Sequence, residues 1–213
     1  MLLLALLATA CSNSPEEQRL VAELNPGFGN GDSVIPPGLA PRFVALAQQT
    51  PLPPALQVAL IDQDLASTIL LEQRRNGIDT WLTPDGASIT TQDGFLLATR
   101  GFGQGLLAAE IDEPRAMVLA GREGPTVRFH SYLTGNDEVI TRTYRCLIEN
   151  RGARTLQIGG NDGVVRLMAE DCRSLDEAFL NLYWVATANN VVLQTRQWVG
   201  EFLGVLTTRV VLN

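Results

Sequence analysis

The chain has 213 residues, 46% of them hydrophobic, with 16 basic and 23 acidic side chains and a formal net charge of −7. That length is enough for one domain with a real core. An acidic chain without a basic cluster argues against nucleic acid, where phosphate neutralisation dominates affinity, and against docking on anionic lipid by charge alone.

Met1–Ala10 is almost wholly apolar and ends Ala8-Thr9-Ala10 before Cys11. Small residues ahead of a cysteine fit a bacterial lipobox. In that reading residues 1–10 are removed as a signal peptide and Cys11 becomes the acylated first residue. About ten apolar residues are too few to cross a bilayer core of ~30 Å as a helix. The alternatives are a short uncleaved apolar tail, or a plain signal peptide followed by a buried cysteine. The positively charged segment that usually opens such a peptide is missing, and a start upstream of Met1 would supply it. Ser12, rather than Asp, after the cysteine points to the outer membrane. Several acyl chains make a stable anchor, each buried CH₂ contributing ~0.8 kcal/mol.

Residues 11–54 form a Pro/Gly-rich stretch. Eight of the 11 prolines lie between Pro15 and Pro54. Proline lacks an amide donor and fixes φ, so this density excludes central strands. Glu16–Leu24 has helical spacing with acids in its first turn, and Arg42–Gln49 predicts a second short helix after Pro41. Pro26–Gly31 and Pro36–Gly38 read as loops. The segment is either a tether that holds the following domain off the membrane, with a helix packing on it, or a spacer with no role beyond reach.

Residues 55–213 read as a β domain. Leu56–Ile61 predicts the first strand, followed by Leu65–Arg75 and Ile78–Thr83 around Asn76-Gly77. Pro84-Asp85-Gly86 is a turn. Asp93-Gly94 is the clearest hairpin signal, because it supplies the positive φ values of a type I′ turn. It would set Gln92 opposite Phe95, Thr91 opposite Leu96 and Ile89 opposite Ala98. Ile89, Thr91, Leu96 and Ala98 would then share one sheet face. Strands this close in sequence pair as an antiparallel meander. Gly101–Gly105 reads as a bend or bulge, having neither dinucleotide-loop spacing nor a following helix. Leu106–Ile111 and Arg115–Arg122 read as strands, the second bounded by Pro114 and Gly124-Pro125. Thr126–Thr134 and Glu138–Glu149 flank a Gly135-Asn136 turn. Thr155–Ile158 and Val164–Glu170 flank Gly159–Gly163, which is too poor in acids for a calcium loop. Ser174–Phe179 could hold one helical turn. Phe179–Thr187, Val191–Val199 and Gly204–Leu212 close the chain. Many short strands at regular spacing predict an antiparallel barrel or a sandwich.

With Cys11 assigned to lipid, Cys146 and Cys172 remain as an even pair. In an oxidising compartment we expect a structural disulfide; two buried thiols are the alternative. This expectation rests on the compartment. No C-x-x-C motif points to redox or metal chemistry.

No catalytic site assembles. His130 is the only histidine, too few for a metal centre of the usual kind. His130 and Ser131 are strand neighbours and point to opposite faces, and there is no G-x-S-x-G elbow. Glu110-Ile111-Asp112-Glu113 partly matches an alternating acidic strand motif of glycan hydrolases, but Pro114 breaks it. Glu110 and Asp112 would sit side by side on one face rather than across a scissile bond. It reads as a polar strand end. Trp81, Trp184 and Trp198 with Tyr183 are the best sequence-level candidates for a sugar-stacking platform. The same residue types on strands more commonly serve as core or barrel plugs.

Five segments in order carry a resemblance: Ser67–Gln73, Asp79-Thr80-Trp81-Leu82-Thr83, Ile89-Thr90-Thr91-Gln92-Asp93-Gly94 running into Phe95–Thr99, Leu182-Tyr183-Trp184-Val185, and Arg196-Gln197-Trp198-Val199-Gly200. With the lipobox, this order resembles the YjbF family of group 4 capsule (GfcB-type) lipoproteins, over about Leu56 to Leu212. The resemblance implies a barrel-like sheet, and so decides between barrel and sandwich. We therefore expect a mainly β fold: an antiparallel barrel-like meander with short N-terminal helices. The resemblance also implies a part in capsule or exopolysaccharide export or assembly, beside envelope export proteins and in reach of the polysaccharide. The expected product is a non-enzymatic lipoprotein without cofactor or metal, on the periplasmic face of the outer membrane and held by Cys11. The runner-up is a binding module that holds a lipid or glycan in the barrel interior or rim.

Overall fold

The computed structural model describes residues 38–134, 136 and 138–212. The lipobox with Cys11, the helix expected over 16–24, the loop at 26–31 and most of the one at 36–38 lie outside the described residues. So do two positions of the turn around Asn136.

Twelve strands form one antiparallel sheet: β1 (Ala55–Leu60), β2 (Leu65–Arg75), β3 (Ile78–Leu82), β4 (Ser88–Gln92), β5 (Phe95–Arg100), β6 (Leu106–Glu110), β7 (Gly124–Leu133), β8 (Val139–Ile158), β9 (Asn161–Arg173), β10 (Ala178–Ala186), β11 (Val192–Gly200) and β12 (Gly204–Val210). Their order is β5-β4-β3-β2-β1-β12-β11-β10-β9-β8-β7-β6. Only β1 with β12 pairs strands distant in the chain, and that pairing bends the meander round. The two edges, β5 and β6, are chain neighbours joined through Gly101–Gly105. No ladder joins them, but Thr99 Oγ1 donates to Leu106 O at 3.5 Å. The result is a nearly closed barrel, as the resemblance implied.

The hairpins follow from turn chemistry. Asn76-Gly77 and Asp93-Gly94 have φ of 53° and 77°, and 50° and 85°, the doubly positive pattern of a type I′ turn. Gln92 faces Phe95 and Thr91 faces Leu96, as expected, but a bulge at Leu97 then shifts the register. Ile89 therefore faces Thr99, not Ala98. An inserted residue turns every later side chain to the other face, so Thr99 points inward and Ala98 does not. Gln197 crosses the barrel to meet the disturbed strand. Its Oε1 accepts from Leu96 N at 2.9 Å and its Nε2 donates to Gly94 O at 2.9 Å.

A further expectation is overturned. Residues 115–122 are not a strand; Asp112–Ala120 is helix α2, preceded in the chain by α1 (Pro41–Ala47). Pro114 sits in the first turn, where its missing N–H costs nothing, and Asp112 and Glu113 suit the positive end of the helix dipole. Gly121, at φ 65°, ends the helix with Arg122 N donating to Met117 O and Gly121 N to Val118 O. These cap signals were present in the sequence. The run Met117-Val118-Leu119-Ala120 imitated a strand instead.

α2 plugs one end of the barrel. Ile111 and Val118 pack with Phe95, Ile148, Met168 and Tyr183 in the interior. Arg115 Nη1 donates to Asp93 Oδ2 at 2.7 Å, and Arg166 Nη2 donates to Leu119 O at 2.9 Å, so both ends of the helix are strapped to the barrel. A second apolar layer, including Leu56, Ile69, Trp81, Leu96 and Leu206, fills the other side. On the outside, α1 follows Ala40, whose N–H donates to Pro84 O at 2.8 Å, and Arg42 pairs with Glu72 on β2.

Candidate binding cleft and buried polar core

Beside the α2 plug the barrel end stays open as a cleft of about 850 Å³. Its rim comprises the β2–β3, β4–β5 and β10–β11 turns with the ends of β1 and β12. Alternation brings Trp81, Thr91, Thr195 and Thr208 to its inner surface, while Leu56, Leu119, Val192 and Val210 form apolar walls. Trp81 Nε1 donates to Thr91 Oγ1 at 2.9 Å. Thr195 and Thr208 place their hydroxyls 2.8 Å apart. The charged groups are paired: Arg74 grips Asp79 through two bonds of 2.6 and 2.8 Å, and Asp93 holds Arg115. A hollow of this size with apolar walls and a few polar groups is the ordinary form of a small-ligand site. A smaller hollow of about 240 Å³ involves Tyr132, Arg142, Glu201 and Phe202. Its cation is already shared between Glu177 and Glu201, each at 3.2 Å.

Deeper in the barrel lies a polar cluster. Arg128 donates from Nε to Glu170 Oε1 at 2.9 Å and from Nη2 to Oε2 at 3.0 Å. Tyr183 Oη donates to Glu170 Oε2 at 2.8 Å and accepts from Arg128 Nη2 at 3.1 Å; Asn181 Nδ2 donates to the same carboxylate at 2.9 Å. Arg128 is 2% exposed and the other three are fully buried. Burial pulls the Arg128 pKa down, but the Glu170 charge, Tyr183 and their hydrogen bonds more than reverse it, so the guanidinium stays charged. Burial pushes the Tyr183 phenol far up, against the pull of Arg128. The cluster is a satisfied ion pair wrapped in neutral donors, a structural arrangement with no open position for a reactant.

His130 sits next to it, stacked on Phe179 with ring centroids 5.7 Å apart. Its Nδ1 meets Tyr132 Oη at 2.9 Å, while Nε2 is buried without a partner. Burial first, then the Arg128 charge, hold its pKa well below 6.5. The sign of the linkage is fixed by this. The folded chain keeps His130 neutral, and the unfolded chain takes up a proton below pH ~6.5, so stability falls as pH drops. Below pH ~6.5, and above the main carboxylate range, we expect this residue alone to make the folded state progressively less stable as pH falls. Urea titrations at several pH values check it; His130→Phe should flatten the slope, and an unchanged slope would count against the assignment.

The family model described as group 4 capsule polysaccharide lipoprotein GfcB, YjbF matches residues 45–211. The chain belongs to this family. Among solved structures, the crystal structure of the hypothetical lipoprotein YmcC from Escherichia coli K12 matches with a TM-score of 0.67 and 21% identity, over 75% of this chain and 84% of that one. At that identity the likeness shows the fold alone. No curated protein matches the chain.

Two of the five segments that carried the YjbF-family resemblance line the cleft, and a third, Arg196–Gly200, touches its floor through Gln197. The Asp79–Thr83 segment supplies Asp79 and Trp81, the hairpin at Ile89–Gly94 supplies Thr91 and Asp93, and Gln197 of the closing strand bonds Thr195 Oγ1 at 3.0 Å. The four aromatics proposed as a sugar platform are not brought together. Trp81 lines the cleft. Tyr183 belongs to the polar cluster. Trp184 alternates to the opposite face and is buried. Trp198 stacks near Phe179 and donates Nε1 to Glu177 Oε1 at 3.0 Å. Cys146 and Cys172 do form a disulfide, directly opposite each other on β8 and β9. With Glu170 they make a compact ligand-like group, but bonded sulfurs offer no thiolate and Glu170 is engaged by three partners. The acidic run at 110–113 is structural: Glu110 Oε1 accepts from Asp112 N at 3.1 Å, and Glu113 Oε2 from Val127 N at 3.0 Å.

Sequence reasoning missed the threonine floor and the Arg128–Glu170 pair. The pair left a trace: Thr126, Arg128 and His130 alternate with Val127 and Phe129, and it is the polar set that faces inward. Strict alternation marks two faces without naming which is buried.

Proposed function

We propose that this chain is a lipoprotein of the periplasmic face of the outer membrane, anchored by acylated Cys11, that serves capsule or exopolysaccharide export by contact and not by turnover. The observation that carries the reading is the match of residues 45–211 to the capsule polysaccharide lipoprotein family. The apolar run ending Ala8-Thr9-Ala10-Cys11 supports the anchor. Among the described residues no helix is long and apolar enough to cross a membrane. Contact is favoured over turnover because the cleft's two carboxylates, Asp79 and Asp93, are each held in an ion pair, and His130 is buried among aromatic rings. Partners would be envelope polysaccharide-export proteins.

Deletion of the gene should remove polymer from the cell surface. Wild type should restore it, and Cys11→Ser should not, as read by surface polysaccharide staining. Normal surface polymer in the deletion strain would defeat the assignment.

The cleft favours a second reading alongside the first: the barrel mouth holds a ligand, lipid or glycan, while the anchor fixes its position. The size and apolar walls of the cleft carry it.

A further inference from the structure

The hydrogen-bond inventory of the cleft floor restricts what can bind there. Thr195 and Thr208 carry one hydroxyl proton each, and their 2.8 Å contact uses one of the two. Gln197 Nε2 donates to Thr195 Oγ1 at 3.0 Å, which consumes an acceptor site and no proton. Whichever threonine donates, the other's proton has no acceptor among the described residues. Thr91 repeats the situation: its Oγ1 accepts from Trp81 Nε1, and its own proton has no acceptor among the described residues. These threonines are 3% (Thr91), 1% (Thr195) and 7% (Thr208) exposed, and all three line the cleft. The floor therefore presents two unused hydroxyl donors at sites more than nine-tenths buried.

The walls add two conditions. Leu56, Val192 and Val210 require apolar faces on the ligand. The charges cancel, since Arg74 is gripped by Asp79 through both carboxylate oxygens and Asp93 is tied to Arg115. An acyl chain fits the walls but leaves both floor donors unmet. A phosphate or uronate supplies acceptors but brings a charge, and the cation among the described residues that line the cleft, Arg74, is already paired with Asp79. A neutral pyranose satisfies all three conditions, with oxygen acceptors on its edges and C–H groups on its faces. We infer that the barrel mouth binds an uncharged saccharide segment, with Thr91 and the Thr195–Thr208 pair donating to sugar oxygens. This rests on the reading that the mouth holds a ligand.

The test uses the acylated full chain in phosphatidylcholine nanodiscs with ¹³C-methyl threonine. It is titrated with neutral gluco-, galacto- and manno-oligosaccharides, with oligogalacturonate and with octanoate. The Thr91, Thr195 and Thr208 methyls should shift with at least one neutral oligosaccharide. Thr91→Val and Thr208→Val, which keep the shape, should each weaken that binding about fivefold, the value of one ordinary hydrogen bond. Thr91→Ser, which keeps the hydroxyl, should retain it. Binding of octanoate alone, binding of oligogalacturonate alone, no shift with any neutral oligosaccharide, or undiminished binding by folded valine variants would each overturn the inference. Loss of surface polymer in the deletion strain, beside a cleft that takes only octanoate, would keep the process and remove this ligand class.

Discussion

Glu170→Gln should cost about 3–5 kcal/mol of unfolding free energy, because it leaves the Arg128 guanidinium charged in a place water does not reach. For a domain whose total stability is of order 5–15 kcal/mol, this approaches the margin. Urea unfolding followed by tryptophan fluorescence would measure it. The second arm is the double variant Arg128→Met/Glu170→Gln. With both charges gone, Tyr183 and Asn181 can still bond the new amide, so most of the loss should return. A cycle of the two single variants and the double isolates the coupling. If Glu170→Gln costs less than about 1 kcal/mol, the pair is not the desolvated element described here. The cluster also governs sheet geometry. The β10–β11 ladder stops at Leu182 opposite Arg196. Beyond it Asn181 Oδ1 accepts from Trp198 N at 2.8 Å, and Arg196 Nη1 donates to Leu180 O at 2.9 Å. Side chains complete the hydrogen bonding where the strands part, as buried backbone groups require.

The meander was legible because its turns are local. Asn76-Gly77 and Asp93-Gly94 specify hairpins from two residues each, and the register nearest the turn follows. Legibility ended at Leu97, since a bulge is decided by what lies across the barrel, here the Gln197 amide, and not by its neighbours in the chain. The same limit hid the site. Thr91, Thr195 and Thr208 come from β4, β11 and β12, and only closure of β1 on β12 brings them together. α2 was missed for another reason: its apolar run fits either period, and the caps that decide it were outweighed by a flanking proline read as a strand boundary. The aromatic platform failed on alternation. Tyr183 and Trp184 are adjacent, so one sheet face could never hold both.

Breaking the Cys146–Cys172 bond should cost about 3.5 kcal/mol, from the chain-entropy model applied to a sequence separation of 26. Cys146→Ala/Cys172→Ala and the wild type under dithiothreitol should both lower the urea midpoint, and to a matching extent. A midpoint unmoved by both would show that the bridge does not restrict the unfolded chain. The position of the bond gives the loss a second consequence. Cys172 lies two residues from Glu170 on the same inward face of β9, and Cys146 lies on the strand opposite. The bond therefore pins the two strands where the buried ion pair is enclosed. Reduction combined with Glu170→Gln should then depart from additivity, because groups sharing one packed neighbourhood couple. Strict additivity would place the disulfide and the ion pair in independent parts of the barrel.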